Sequence, residues 1–279
     1  MNIQKLAAFS NGEEGGNPAG VVLLDAALDE ALMARIAGEV GYSETAFAYP
    51  LNSAADKWRV RYFSPESEVP FCGHATIALG AVLGKDIGVG NYNLEINDAS
   101  ISVLAEQTPR GISAALTSPA TKSRTLTNYE LASVLALFSL QATDLDDRLA
   151  PAWIHAGSNH VVLPLKSRQT LAQMHYDLAA GKALMAELEL VTVMLVFIEN
   201  DTLFIARNAF ASGGVLEDPA TGAAAAAFAG YLRDQHWPHN GSFIIKQGED
   251  MGAPSLIHVS LTDEAGSPVH VTGTTRALA

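Results

Sequence analysis

Cys72, Gly73 and His74 follow one another inside "EVPFCGHATIALGAVLG" (68–84), and Cys72 is the only cysteine in the chain. A thiol and an imidazole two residues apart, at the mouth of an apolar run, fit three chemistries. The thiolate could act as nucleophile or base, acidified by a helix N-terminus and by His74. The pair could supply half of a metal site, or the open amides around Gly73 could hold an anion. A lone cysteine beside an apolar helix start also has a plain role as a small buried hydrophobe. The buried and the thiolate readings both stand. The metal reading is set aside, because the other histidines (His155, His160, His175, His236, His239, His258 and His270) are scattered without ligand spacing. A single cysteine also excludes an intramolecular disulfide and a thiol pair working from opposite sides of a substrate.

Two helix starts form a second signal. "GHATIALGAVLG" (73–84) and "TGAAAAAFAGYL" (221–232) are apolar and small-residued on every side, with Ala and Gly where a surface helix carries Lys or Glu. Such helices are buried all round. Gly73 and Gly222 leave first-turn N–H groups unobstructed, at the positive end of each dipole. If both helices aim into one cleft they cradle a carboxylate; the plainer account is that small residues allow close packing inside a barrel. The two accounts are compatible, since packing concerns the helix body and anion binding its open end.

Carboxylates complete the set. Glu44 lies in "GYSETAF" (41–47), within the otherwise apolar, β-leaning run "ETAFAYP", where alternation places it opposite Thr45. An exposed Glu at a strand edge gives this pattern. So does a carboxylate partly desolvated among Tyr42, Phe47 and similar neighbours, the environment that suits a proton carrier near neutral pH. Glu217 and Asp218 precede the second apolar helix, either to complement its dipole or, for Asp218, to orient a substrate amine or hydroxyl. "GNPAG" (16–20) reads as a turn whose Asn17 either faces the cleft or closes the turn. "GSNH" (157–160) reads as a turn.

These residues need elements to position them. "IQKLAAF" (3–9), "GVVLL" (20–24), "KWRVRYF" (57–63), "ISVLAE" (101–106), "GISAALT" (111–117), "HVVLPL" (160–165), "VTVMLVFIE" (191–199), "TLFIARN" (202–208), "SFIIKQ" (242–247) and "SLIHVSL" (255–261) read as strands. Turns such as "TPRG" (108–111) and "ENDT" (199–202) favour antiparallel neighbours. "DEALMARIAGEV" (29–40) carries Leu32, Ile36 and Val40 on one helical stripe, and "TNYELASVLALF" (127–138) opens with the capping-box pair Thr127 and Glu130. A third surface helix is expected in "YDLAAGKALMAEL" (176–188). Each apolar helix follows a Pro-containing acidic turn near the middle of its half of the chain, which indicates a weak internal duplication. "TSPATKSRT" (117–125) reads as the linker.

At 279 residues the chain has the length of two domains. Lys and Arg total 17 against 30 Asp and Glu, a net charge of −13, which disfavours nucleic acid and anionic membranes as partners. The N-terminal stretch lacks the basic and apolar regions of a secretory signal, and no apolar run is long enough to span a bilayer, so a cytoplasmic location is expected.

In order along the chain, "GNPAGVV", "GYSETAF", "RYFSPESEVPFCGHATIAL", "GSNHVVLPL", "EDPATGAAAAAFAGYL" and "QGEDMGAPS" resemble the motifs of the PhzF-like (phenazine biosynthesis-like) proteins across nearly the whole chain. The resemblance implies an α+β, diaminopimelate epimerase-like fold: two similar domains, each an antiparallel sheet or barrel around a central helix, with the site in the cleft between them. The corresponding domains are 1–118 with about 267–279, the last strand returning to the first domain, and 119–266. Dimers are common in that family, so a homodimer is expected.

The resemblance also implies an isomerase without metal or organic cofactor, in which the glutamate of S-E-T-A-F removes a carbon-bound proton and returns it elsewhere on the same molecule. Glu44 takes that position. His74 and Asp218 match residues that contact the substrate, and the amides at Gly73, Gly222 and Ala223 match groups that hold its carboxylate. The expected ligand is a small anionic metabolite. Related racemases and epimerases use two cysteines, and only the position of Cys72 is kept here. Ala223 stands where phenazine-pathway members carry Ser, and Ala253 where Arg is usual. A small carboxylate other than the phenazine intermediate is therefore expected. The competing expectations are a non-catalytic member binding a small anionic metabolite or a protein partner, and a thiol-based racemase.

Overall fold

The computed structural model describes residues 2–97, 99–109 and 111–279. Clustering of the chain separates two compact units, Met1–Thr117 with Thr272–Ala279 and Ser118–Val271. Arg110 of the expected turn "TPRG" lies outside the described residues.

In the first unit the strands are β1 (Gln4–Ala8), β2 (Asn17–Leu23), β3 (Glu44–Pro50), β4 (Lys57–Phe63), β5 (Glu68–Val69), β6 (Gly90–Glu95), β7 (Ser100–Thr108) and β8 (Gly111–Thr117). Helix α1 (Glu30–Val40) precedes β3, and α2 (Gly73–Asp86) separates β5 from β6. The second unit contains β9 (Lys122–Thr125), α3 (Asn128–Leu137), β10 (Ala152–His155), β11 (Asn159–Leu165), α4 (Arg168–Ala172), α5 (Leu178–Glu187), β12 (Thr192–Asn200), β13 (Leu203–Ala209), β14 (Glu217–Asp218), α6 (Gly222–Asp234), β15 (Ser242–Gln247) and β16 (Ser255–Ser260). The last strand, β17 (His270–Ala277), pairs with β1 and β8.

Pairing closes the first unit into a ring, β1-β2-β3-β4-β6-β7-β8-β17 and back to β1. Antiparallel pairs predominate, but β2–β3 and β4–β6 are parallel. The second unit runs β9-β10-β11-β12-β13-β15-β16, and its parallel pairs, β11–β12 and β13–β15, fall at the matching places. A parallel neighbour requires a crossover, and each central helix lies in the second crossover of its unit. The internal duplication is thus visible as topology.

Both central helices are buried on all sides. Every residue of α2 from Gly73 to Gly84 is buried. A Cβ on Gly80 would stand 2.5 Å from Val103 Cγ2, and one on Gly84 2.7 Å from Ala105 Cβ, so these glycines let the helix lie directly on β7. In α6, Gly222 and the run Ala224–Arg233 are buried, whereas Ala223 at the start is partly open.

Four of the sequence expectations need adjustment. "GNPAG" is not a turn: Asn17 to Ala19 are already in β2, and the β3 ladder begins only at Ala19, so the missing N–H of Pro18 interrupts no pairing on that side. The expected linker contains β9, which pairs with β10. The buried stripe of α1 is centred on Met33, Ile36 and Ala37, with Leu32 and Val40 at its margins. In "GSNH" only Gly157 and Ser158 form the turn, and His160 is a buried member of β11.

The capping box of α3 forms as expected: Thr127 Oγ1 accepts from the Glu130 N–H, and Glu130 Oε2 accepts from the Thr127 N–H. Arg124, which donates two hydrogen bonds to the carboxylate, is the main reason the Glu130 carboxyl is held down to about 2. A depressed carboxyl contributes stability above its ordinary range, and the contribution is lost as pH falls from about 4.5 towards 2. Because the pair is partly solvated, Glu130→Gln is expected to cost about 0.5–1 kcal/mol at neutral pH. In urea denaturation series, the difference from wild type should vanish near the acid end of that window.

Candidate active site

In the first unit, α2 is anchored from β4. Tyr62 is fully buried, and its hydroxyl pairs with Thr76 Oγ1 at 2.6 Å. Thr76 in turn donates to the Cys72 carbonyl at 2.7 Å, so Tyr62 is the donor in the first contact. Burial drives the Tyr62 phenol far above its usual range, which keeps it a neutral donor. This fixes the opening turn of α2, and with it His74.

Around His74 gather Glu44 and Cys72, which the sequence had singled out, and Ser43. Glu44, the first residue of β3, is 8% exposed, and its Oε2 lies 3.3 Å from His74 Nε2. The approach is off the hydrogen-bonding direction: Glu44 Oε2 is buried without a hydrogen-bond partner. Ser43 Oγ is also 3.3 Å from Nε2, and Cys72 Sγ is 3.3 Å from Nδ1 and 3.8 Å from Nε2. Asn17, at the start of β2, is buried opposite Ala8. Glu44 is therefore no exposed edge residue. Phe47 is committed elsewhere, packing edge-on against Phe63 in the cluster beneath α1.

The ligand atoms of Glu44, Cys72 and His74 lie within 4.8 Å of one another, a spacing that invites comparison with a metal site. The orientation fits poorly. The carboxylate oxygen stands at Nε2 and the thiol is nearer Nδ1, whereas a metal takes one imidazole lone pair and draws its other ligands to within about 2.0–2.3 Å of itself. As placed, the trio is suited to proton movement.

In the second unit, Asp218 in β14 stands opposite Asn208 of β13 and is 6% exposed. Its Oδ2 accepts from Thr221 Oγ1 at 2.6 Å. Thr221 is the N-cap of α6, so the hydroxyl that could cap the helix is committed to the carboxylate instead. Glu217 is held by Arg207, at 3.0 and 2.5 Å, and the same guanidinium donates to the Ala172 carbonyl at 2.8 Å. The acidic pair divides its work: Glu217 anchors the strand, and Asp218 faces the helix start.

The two central helices share a property at their N-termini. α1, α3, α4 and α5 are capped by the side chains of Asp29, Thr127, Ser167 and Asp177. Neither α2 nor α6 has a side-chain cap. The N-cap side chains Cys72 and Thr221 thus take no first-turn amide, as a helix start that receives an anion requires. Ala253 sits in the loop after β15, where a cation is already supplied by Arg168, 2.9 Å from Asp250 and 3.9 Å from Glu249.

Sequence reasoning missed Ser43, Thr221 and the buried polar residues Thr192, Asn208 and Gln247. For Thr192, Asn208 and Gln247 the signal was a single hydrogen-bonding side chain within, or at the end of, an apolar strand.

A family model described as "Phenazine biosynthesis-like protein" matches residues 6–279. The chain belongs to that family. The uncharacterized isomerase YddE of Escherichia coli strain K12 is 30% identical over 290 residues, covering 97% of this chain and 93% of that protein. The structure of a "Predicted Epimerase" from Pseudomonas aeruginosa matches with a TM-score of 0.85 at 25% identity, covering 99% of this chain and 96% of the other. A PhzF-family phenazine biosynthesis protein from Bacillus anthracis gives a TM-score of 0.85 at 22% identity, with 100% and 98% coverage, a likeness of fold. The α+β, epimerase-like class expected from the motifs is the one observed, and the chain is an enzyme of the isomerase class. Among the described residues, no helix is long and apolar enough to cross a membrane, which says nothing of spanning by strands.

Proposed function

We propose that this protein is a cofactor-independent isomerase or epimerase that moves a proton on a small carboxylate-bearing metabolite, with Glu44 as the general acid/base. The observation that carries this reading is the buried Glu44 carboxylate, whose Oε2 has no hydrogen-bond partner and stands 3.3 Å from His74 Nε2. A buried acceptor left unpaired costs about 1–3 kcal/mol or more, and a substrate C–H or O–H is the kind of group that would use it.

The chemistry follows from that placement. A C–H bond next to the substrate's acidifying group breaks, its electrons remain on the substrate, and the proton forms an O–H bond on Glu44. The same O–H then breaks as the proton is returned to another atom or face, so no proton is gained or lost. His74, in contact with Glu44, guides the proton's path. The first-turn amides at Gly73, which the Cys72 side chain does not cap, support a substrate carboxylate or the charge developing on it. Asp218, Gly222 and Ala223 are assigned to substrate contact. One carboxylate that takes and returns a proton completes the cycle without a cofactor.

Incubation in deuterated water with a panel of small carboxylates, read by NMR, tests the reading: deuterium should enter at least one of them at carbon. Tight binding of a carboxylate with no exchange anywhere in the panel would instead support a binding protein. In this reading Cys72 is a packing residue, so Cys72→Ser should keep exchange within about threefold of wild type. A loss near that expected for a catalytic group would restore the thiol mechanism.

A further inference from the structure

The second unit contains a line of polar side chains, half-buried at Ser158 and buried from His160 onward, each from a different element. Ser158 Oγ lies 2.9 Å from His160 Nε2, and His160 Nδ1 lies 2.8 Å from Thr192 Oγ1. Thr192 donates to Asn208 Oδ1 at 3.0 Å, and Asn208 Nδ2 donates to Gln247 Oε1 at 3.0 Å. Gln247 Nε2 donates to Thr221 Oγ1 at 3.0 Å, and Thr221 donates to Asp218 Oδ2 at 2.6 Å. The line passes from β11 through β12, β13 and β15 to the start of α6.

Its direction is settled at one residue. Gln247 is 1% exposed, and both ends of its amide meet backbone groups of fixed polarity. Its Oε1 accepts from the Thr221 N–H at 3.3 Å, and its Nε2 donates to the Asp218 carbonyl at 2.7 Å. A flipped amide would set donor against donor and acceptor against acceptor. With Gln247 pinned, Asn208 must present its NH2 to Oε1 and its own oxygen to Thr192. Thr192 has then spent its only proton, so it accepts from His160 Nδ1–H. On the other side the Thr221 hydroxyl accepts from Gln247 Nε2–H, so its one proton is left for Asp218 Oδ2.

We infer that Gln247 is a positioning residue for Asp218. It reads the polarity of two backbone groups and imposes one hydrogen-bond direction on six side chains, ending with Thr221 holding the Asp218 carboxylate as an acceptor in one place. Any catalytic consequence rests on the assignment of Asp218 to substrate contact; the direction of the line does not. It also dictates the tautomer of His160, which burial keeps neutral by driving its pKa down to about 3.

The test is a long-range proton–nitrogen NMR spectrum of 15N-labelled protein near neutral pH. In wild type, His160 should carry its proton on Nδ1; a proton on Nε2 overturns the inference, and this reading needs no variant. Gln247→Leu frees Asn208 to turn, so the Nδ1–H form should give way to a mixture. Gln247→Glu keeps the acceptor for Asn208 and should leave the tautomer unchanged. An identical response from both variants also overturns the inference, since a residue needed only for packing would not separate them. Thr221→Val should keep the His160 tautomer and slow solvent-hydrogen exchange into substrate about tenfold; full exchange would detach the line from Asp218. If Glu44→Gln keeps full exchange, the isomerase assignment fails while the tautomer result stands.

Discussion

Glu44→Gln is expected to lower solvent-hydrogen exchange into substrate by about 100- to 10,000-fold, the usual loss when a positioned acid/base is removed. The substitution keeps the shape of the side chain and takes away only its ability to accept and release a proton. Cys72 and His74 keep their places, because Tyr62 and Thr76 hold the opening turn of α2 independently of Glu44. Stability should not fall, since a buried amide replaces a buried carboxylate with an unpartnered oxygen. Exchange is measured by NMR and stability by urea denaturation on the same samples. Equal exchange in variant and wild type would remove Glu44 from the mechanism; loss of exchange together with loss of fold would be answered by Glu44→Asp, which keeps the charge and should recover part of the rate.

Phe228→Ala is expected to destabilise the second unit by about 3–5 kcal/mol. Phe228 is fully buried in α6 and meets Phe204 edge-on at 5.0 Å, Phe243 at 6.0 Å and Tyr231 at 6.4 Å, so truncation leaves a cavity and three broken aromatic contacts. At a typical urea slope of about 1–3 kcal/mol per molar, the midpoint should fall by at least about 1 M. Trp237 packs on Phe204 at 6.2 Å, so its fluorescence reports the transition locally. Phe228→Leu should recover most of the loss. A decrease below about 1 kcal/mol would mean that the surrounding rings close over the gap.

Much of this fold can be read from local rules. "KWRVRYF", "GISAALT" and "SFIIKQ" are strands with the bounds their alternation suggests, and Thr127 with Glu130 marks the start of α3. The two central helices are legible because no polar face is left for water. Strands β6, β9 and β10 escaped notice for a shared reason: at six, four and four residues they are too short for alternation or an apolar run to stand out. Parallel pairs such as β2–β3 are invisible to turn signals, because the partners are joined through a helix.

The site divides the same way. Glu44, His74 and Asp218 are recognisable from their motifs, but the burial of Glu44 is not, since a β-leaning run does not say which neighbours cover it. Thr192, Asn208 and Gln247 are far apart in sequence and meet only through strand register: His160 faces Thr192, Asn208 faces Asp218, and Gln247 stands beside Ala206 of β13. Register is a property of the assembled sheet.

Strand β17 adds a constraint of timing. It lies between β1 and β8, yet the whole of the second unit is encoded between β8 and it. On the ribosome, β1 to β8 emerge first and wait with two open edges while Ser118–Val271 is translated, on the order of 10–30 s at usual elongation rates. Only then does the strand that seals the ring arrive. The later-encoded unit can finish folding before the earlier one, and the interval is the stage at which the open edges of β1 and β8 are exposed to chaperones or to mispairing.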